Sequence, residues 1–162
     1  MKIRLVVGFL AGGVLGVAAG FALGIFVYPY LFLADIVAAE KVDAAQRKVL
    51  ARGRFIHANP SDPIHYGKGG VTVYEGLLHL EPDFEVGPGP KFHVYLMPER
   101  NVTPATRVAS APFVDLGRLR AFKGSQNYPL PPGVDVARYG SAVIWCEQFG
   151  VLISPAALSA VR

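Results

Sequence analysis

The feature that most constrains this chain is a long apolar segment near its N-terminus. Residues 5–33 contain no Asp, Glu, Lys or Arg, although these types make up 17% of the 162-residue sequence. A helix needs about 20 apolar residues to cross the ~30 Å hydrocarbon core of a bilayer. The sequence therefore predicts a single transmembrane anchor over residues 5–33, preceded by an N-terminal tail of residues 1–4.

A cleaved signal peptide is the alternative, because Val17-Ala18-Ala19 has the small residues of a cleavage site. The apolar part of a signal peptide is only about 7–15 residues long, so the length favours an anchor that stays on the protein. Lys2 and Arg4 precede the segment. The positive-inside rule then places the N-terminus in the cytoplasm and the rest of the chain outside it. We expect a single-pass protein of the cell membrane, with the lipid bilayer as its first partner.

Glycine recurs at every fourth position of the anchor. The five residues are Gly8, Gly12, Gly16, Gly20 and Gly24. Four residues are close to one turn of an α-helix, so these positions form one stripe. Small residues at such spacing let two membrane helices approach closely. The pattern predicts a homo-oligomer through this glycine stripe; the alternative is a span with no helical partner.

Residues 34–52 have a different composition, rich in Ala and free of Gly and Pro. Apolar residues recur there at roughly helical intervals, among them Ile36, Val42 and Val49. Gly53 is a typical stop signal after a helix. The sequence therefore predicts a juxtamembrane helical stalk over residues 34–52.

From Gly53 onward, short segments rich in Val, Ile, Tyr and Phe alternate with Gly and Pro clusters. This pattern is typical of an all-β, antiparallel sandwich or barrel, which we expect over residues 53–162. The predicted strands are 54–57, 71–74, 77–81, 92–97, 113–116, 142–149 and 151–154. Only residues 155–161 leave room for a further helix.

Charge and motifs exclude several classes of function. The formal net charge is +4, of which +3 lies within residues 1–52, so residues 53–162 are nearly neutral. A nucleic-acid-binding domain needs a basic face, and we expect no nucleic-acid partner. The glycines at 67–70 lack the spacing of a phosphate-binding loop, and no Gly-x-Ser-x-Gly sequence occurs. No complete enzyme active site is expected.

Cys146 is the single cysteine of the chain. It follows Val143, Ile144 and Trp145, a sequence typical of a strand buried on both faces. A free cysteine in such a strand is either a small packing residue or, with a lowered pKa and access, a reactive thiol.

Histidines are the other candidate ligands. His79 and His93 each lie between apolar neighbours, so their side chains should point away from those neighbours in a strand. If the two strands pair, His79, His93 and Tyr95 are expected on one face as a cofactor-binding set. His57 and His65 flank a polar loop and are expected at the surface. A cysteine with one histidine would suit a soft metal or a haem iron.

Several blocks of residues 53–162 occur together in order and resemble the electron-transfer DM-thirteen domain. They are Gly53-Arg54-Phe55, Leu80-Glu81-Pro82-Asp83-Phe84, Gly87-Pro88-Gly89-Pro90, His93-Val94-Tyr95-Leu96, Asp115-Leu116-Gly117-Arg118-Leu119, Gly124-Ser125-Gln126-Asn127-Tyr128-Pro129 and Ser141-Ala142-Val143-Ile144-Trp145-Cys146. The similarity covers nearly all of residues 53–162. Lys91 departs from the family pattern, which usually has an acidic residue after Gly-Pro.

The resemblance implies an all-β extracytoplasmic domain with a role in electron transfer. It makes Cys146 the candidate redox thiol or the group that binds a metal or haem. The redox or protein partner is not specified by the sequence. The alternative function is a non-catalytic β-sandwich that binds a ligand or a protein at the membrane surface.

Overall fold

The N-terminal segment is helical, as the sequence predicts. The computed structural model describes residues 2–161, apart from the side chain of Phe26. Helix α1 (Lys2–Tyr28) continues into a π-helical turn over Pro29–Leu33. Together they form one apolar helix of 32 residues, long enough to cross a membrane. A Cβ added at any of the five glycines of the stripe would meet nothing within 4 Å, and self-association stays a prediction.

Ten strands follow within residues 2–161 and confirm the predicted all-β domain. They are β1 (Val37–Ala39), β2 (Val49–Phe55), β3 (Gly67–Tyr74), β4 (Leu77–Leu80), β5 (Glu85–Val86), β6 (Phe92–Met97), β7 (Val114–Arg118), β8 (Lys123–Pro129), β9 (Ser141–Cys146) and β10 (Val151–Ala160). The C-terminal segment, where the sequence left room for a helix, belongs to strand β10. The sequence pattern does not predict β1, β5 or β8.

The strands pair in the order β1-β8-β4-β3-β2-β10-β9-β6-β7, with β5 beside β3 and β8. Every pair is antiparallel except β1 with β8, which is parallel. Phe122, just before β8, packs edge-on against Phe92 of β6 with ring centroids 5.8 Å apart. Tyr128 Oη of β8 also donates to the Arg118 carbonyl of β7 at 3.4 Å. These contacts bring distant parts of the strand order together and make the domain sandwich-like.

Strand β9 is buried on both faces, as its apolar sequence predicts. Because strand side chains alternate, Ile144 and Cys146 enter the main core, where Phe92 of β6 also lies. Val143 and Trp145 point the other way, into a second apolar cluster. The loop of residues 98–113 covers that cluster with Val102, Val108 and Ala111.

The predicted helical stalk over residues 34–52 is wrong. Residues Val37–Ala39 pair with β8, and Val49–Phe55 lies in the sheet between β3 and β10. Of the apolar residues that suggested a helix, Val42 and Val49 are half-buried, whereas Ile36 is exposed. In an extended conformation this segment gains main-chain hydrogen bonds with three strands of the domain, β8, β3 and β10, which an isolated amphipathic helix would lack.

Glu40 joins this segment to β8. Its carboxylate accepts hydrogen bonds from the Arg120 guanidinium at 2.7–3.1 Å and from the Asn127 backbone N–H at 2.8 Å. Its backbone N–H donates to the Ser125 carbonyl at 3.1 Å, and its carbonyl accepts from Ser125 Oγ at 2.8 Å. The chain that leaves the helix is therefore held against the edge of the domain.

Replacing Glu40 by Ala should lower the free energy of unfolding by about 1–2 kcal/mol, because Asn127 N–H and the half-exposed Arg120 lose a charged acceptor. The measurement is denaturant unfolding of the full chain in detergent, followed by fluorescence of Trp145, the single tryptophan. Glu75→Ala is the matched control, because the Glu75 side chain is exposed. Equal losses in the two variants would contradict the role assigned to Glu40.

Candidate functional site

The end of strand β9 carries the candidate functional residues, divided between its two faces. Cys146 faces the main core and borders a cavity. Glu147, the next residue, contacts His93 and Tyr95 of β6 on the opposite face.

Cys146 lies beside an apolar cavity of about 380 Å³. The residue is only 1% exposed, and its Sγ–H donates to the Pro90 carbonyl at 3.3 Å. The cavity walls come from the end of the helix, the loop before β3, the segment leading into β6, and the turn after β9. They are Val27, Tyr30, Ile64, His65, Pro88, Gly89, Pro90, Phe92, Cys146 and Phe149.

Two glycines allow the segment around Pro88–Pro90, which forms one wall of the cavity, to pack closely against neighbouring residues. A Cβ at Gly87 would collide with the Ile64 carbonyl, and one at Gly89 would collide with the Phe92 ring. This close approach places the Pro90 carbonyl against the sulfur. The Gly-Pro repeat, which the sequence indicates as a loop, thus forms one wall of the Cys146 cavity.

Burial raises the pKa of the Cys146 thiol above its usual value of 9.0, while nearby backbone N–H groups of Phe149 and Gln148 act in the opposite direction. The thiolate is the reactive and metal-binding form of cysteine. At neutral pH the sulfur is therefore a neutral thiol that donates its proton to Pro90.

His65 borders the same cavity, and its environment differs from the expected surface position. Its side chain is 30% exposed, and its Nδ1 lies 2.6 Å from Asp62 Oδ2. The backbone N–H groups of Ile64 and His65 donate to Asp62 Oδ1. The hydrogen bond from His65 is the largest of the effects that lower the pKa of Asp62 to about 2. His57 is exposed, as expected.

Because Asp62 is ionised, it holds the proton of His65 on Nδ1. Nε2 is then the ring nitrogen that can accept a proton or bind a metal. Sequence reasoning missed this histidine, although an Asp three residues earlier, followed by Pro, is a local turn signal that orients the side chain.

On the other face of β9, charged and polar side chains form a second cluster. Its members are Lys91, His93, Tyr95, Asp115 and Glu147. His93 Nδ1 lies 3.0 Å from Asp115 Oδ2, and His93 Nε2 lies 3.5 Å from Glu147 Oε2. Tyr95 Oη donates to Glu147 Oε1 at 2.9 Å. The ligand atoms of His93, Asp115 and Glu147 all lie within 4.8 Å of one another.

The predicted grouping of His79 with His93 and Tyr95 does not form. His93 and Tyr95 are neighbours, with ring centroids 6.2 Å apart. His79 lies in β4, which β3, β2, β10 and β9 separate from β6 in the strand order. It is 4% exposed, and its Nδ1 lies 2.6 Å from Asn127 Oδ1. His79 is a hydrogen-bonded histidine of the sheet, outside both clusters.

Lys91 lies between the two groups. It has a positive φ of 50°, which is uncommon for a residue other than glycine. Its Nζ pairs with Glu147 Oε2 at 3.0 Å, and its carbonyl accepts from the Glu147 backbone N–H at 3.1 Å. The hydrogen bond from Lys91 is the largest cause of a lowered pKa at Glu147. Lys91 is thus the ion-pair partner of Glu147.

The family model described as Electron transfer DM13 matches residues 61–158, more than half of the chain. The chain belongs to this family. No curated protein and no solved structure matches it. Both side-chain groups lie within the DM13 region, apart from the cavity walls supplied by Val27 and Tyr30. Strand β2 precedes that region yet pairs with β3 and β10, so the DM13 sheet is continuous with the chain before it.

The buried thiol should react slowly with a maleimide in the folded protein. At pH 8 we expect the rate for the folded protein to be at least about tenfold below that for the denatured chain, because only the thiolate reacts and burial disfavours the thiolate. The rate for the folded protein should rise between pH 8 and 10. Since the chain has one cysteine, the labelling is unambiguous. Equal rates in the folded and denatured chains would contradict the buried, protonated thiol.

Cys146→Ala should fold and lose about 1–2 kcal/mol in free energy of unfolding.

Proposed function

We propose that this DM13 protein is a membrane-anchored redox module whose electron-transfer group is held at the Cys146 cavity. The observation that carries the proposal is the position of the thiol. It lies at the edge of the main core, where it borders an apolar cavity that His65 also borders. Membership of the electron-transfer family supports a redox role for this site.

The donor set at this cavity fits a soft metal or a haem iron. Cys146 Sγ is a soft ligand and His65 Nε2 a borderline one, and these types suit such centres. The cavity volume of about 380 Å³ lies near the lower end of the ~300–1,000 Å³ typical of small-molecule sites. A centre of this kind, when bound, would supply one-electron redox chemistry.

The residues of the chain have defined parts in this proposal. Asp62 fixes the His65 tautomer, so that Nε2 keeps its lone pair. Cys146 must lose its proton and its hydrogen bond to Pro90 before the sulfur can bind a metal. Binding at this site therefore releases a proton and becomes tighter as the pH rises towards the pKa of the thiol. The apolar walls exclude water from the sulfur.

Placement at the membrane surface is part of the proposal. Val27 and Tyr30 belong to the apolar helix and also border the cavity. If the helix spans the bilayer, the cavity lies where the chain leaves it, near an aromatic belt formed by Tyr28, Tyr30 and Phe32. Lys2 and Arg4 at the other end favour a cytoplasmic N-terminus and an extracytoplasmic β domain.

A non-redox binding function is the second candidate. The specific observation that favours it is the apolar lining of the cavity, with Ile64, Phe92 and Phe149 among its walls. Such a cavity would accept an apolar ligand without any use of the thiol. The two functions differ in whether Cys146 is required.

The test is the absorption spectrum and metal content of the full chain, purified from membranes in mild detergent. Three variants are compared with the wild type: Cys146→Ser, His65→Asn and, as a control at an exposed residue outside the cavity, Glu75→Ala. We expect a visible band or one redox-active metal per chain in the wild type and the control, lost in Cys146→Ser and weakened in His65→Asn.

A visible band or a redox-active metal retained in Cys146→Ser would place the redox group elsewhere and contradict the proposal. A colourless, metal-free wild type that carries a bound apolar molecule, kept in Cys146→Ser, would favour the binding function. A colourless, metal-free wild type without such a molecule would contradict a metal or haem centre at the Cys146 cavity.

A further inference from the structure

We propose that His93 and Glu147 form a binding site for a divalent transition-metal ion, with Asp115 and Tyr95 as positioning residues. The site lies on the face of β9 opposite to Cys146. It uses none of the residues that line the Cys146 cavity, so it does not rest on the redox function proposed above.

The separation of the two ligand atoms fits a shared ion. His93 Nε2 and Glu147 Oε2 are 3.5 Å apart, beyond the usual 2.7–3.2 Å of an N–H···O hydrogen bond. Two ligands on one tetrahedral ion, each about 2.1 Å from it, lie roughly 3.4 Å apart. The observed distance therefore suits two ligands of one metal better than a direct hydrogen bond.

The tautomer of His93 supports the same assignment. Asp115 Oδ1 and Oδ2 lie 3.1 and 3.0 Å from His93 Nδ1, which places the proton of the neutral ring on Nδ1. Nε2 then directs a lone pair towards the Glu147 carboxylate. Two acceptors facing each other repel, and a cation between them would relieve that repulsion, as the Lys91 ammonium beside Glu147 Oε2 does in part. A metal-binding histidine usually donates its other ring N–H to a hydrogen-bond acceptor such as a carboxylate.

The Glu147 carboxylate is also oriented by a hydrogen bond. Tyr95 Oη donates to Glu147 Oε1 at 2.9 Å, which leaves Oε2 directed at His93. Tyr95 itself is fixed by Phe113, whose ring stacks on it with centroids 4.2 Å apart. The two ligands are therefore oriented before an ion arrives, and fixed ligands lose less conformational entropy on binding.

Lys91 competes for the same position. Its ammonium lies 3.0 Å from Glu147 Oε2, the oxygen that would bind the ion, while its side chain is 53% exposed and can move into solvent. Metal binding must displace this ammonium from the carboxylate. Removal of the lysine charge should therefore tighten metal binding, whereas removal of either ligand should weaken it.

An imidazole with a carboxylate selects for borderline ions such as Zn²⁺ over Mg²⁺, which prefers oxygen ligands and keeps its waters. The probe is Zn²⁺, titrated by calorimetry into the full chain in detergent, stripped of metal and free of a histidine tag. We expect one saturable site that is retained in Cys146→Ser, which separates it from the Cys146 cavity, and no such site in a titration with Mg²⁺. His93→Asn and Glu147→Gln should each weaken Zn²⁺ binding at least about tenfold.

Lys91→Met should tighten Zn²⁺ binding by about threefold or more, and this exposed position keeps the test informative if His93→Asn fails to fold. His57→Asn is the matched histidine control and should bind as the wild type does. No saturable Zn²⁺ binding by the wild type would overturn the proposal. Binding unchanged in Glu147→Gln, or not tightened in Lys91→Met, would also overturn it.

Discussion

Burial of strand β9 on both faces is the constraint on which the rest of the structure depends. All six of its residues are buried, and it pairs with β10 on one side and β6 on the other. Two separate apolar layers are needed to cover it, the main core and the cluster beneath residues 98–113. Because side chains alternate along a strand, consecutive residues at its end enter different environments. Cys146 reaches an apolar cavity, and Glu147 reaches a polar cluster.

The all-β domain and most of its buried strands are predictable from sequence, because their apolar residues mark them directly. Strand β8 is not, because its residues are mostly polar. Gln126 is fully buried through bonds to the Ala121 backbone, and Ser125 and Asn127 bond the backbone of residues 40 and 41. A strand held by hydrogen bonds between its side chains and distant backbone atoms does not need apolar residues at regular spacing, so its sequence carries no strand pattern. The same bonds hold strand β1 and the two residues after it against β8, where spacing alone predicts a helix.

The candidate site was partly predictable for a similar reason. Cys146 stands out as the single cysteine, and His93 and Tyr95 share a face because they are two apart in one strand. Asp115 and Glu147 join them only through the pairing of β6 with β7 and β9, which spacing does not reveal. The expected approach of His79 fails because β4 pairs with β3 and β8. His65 reaches the cavity through a turn that is stabilised by the carboxylate of Asp62, three residues earlier in the chain.

The central claim is that the Cys146 cavity holds the electron-transfer group. The most direct measurement is the voltammetry of the full chain adsorbed in a lipid film on an electrode, for the wild type, Cys146→Ser and the control Glu75→Ala. The account predicts a reversible wave in the wild type and in Glu75→Ala that is lost in Cys146→Ser, while all three proteins keep the same β-sheet circular dichroism. A wave of unchanged potential and size in Cys146→Ser, or no wave in the folded wild type, would contradict it.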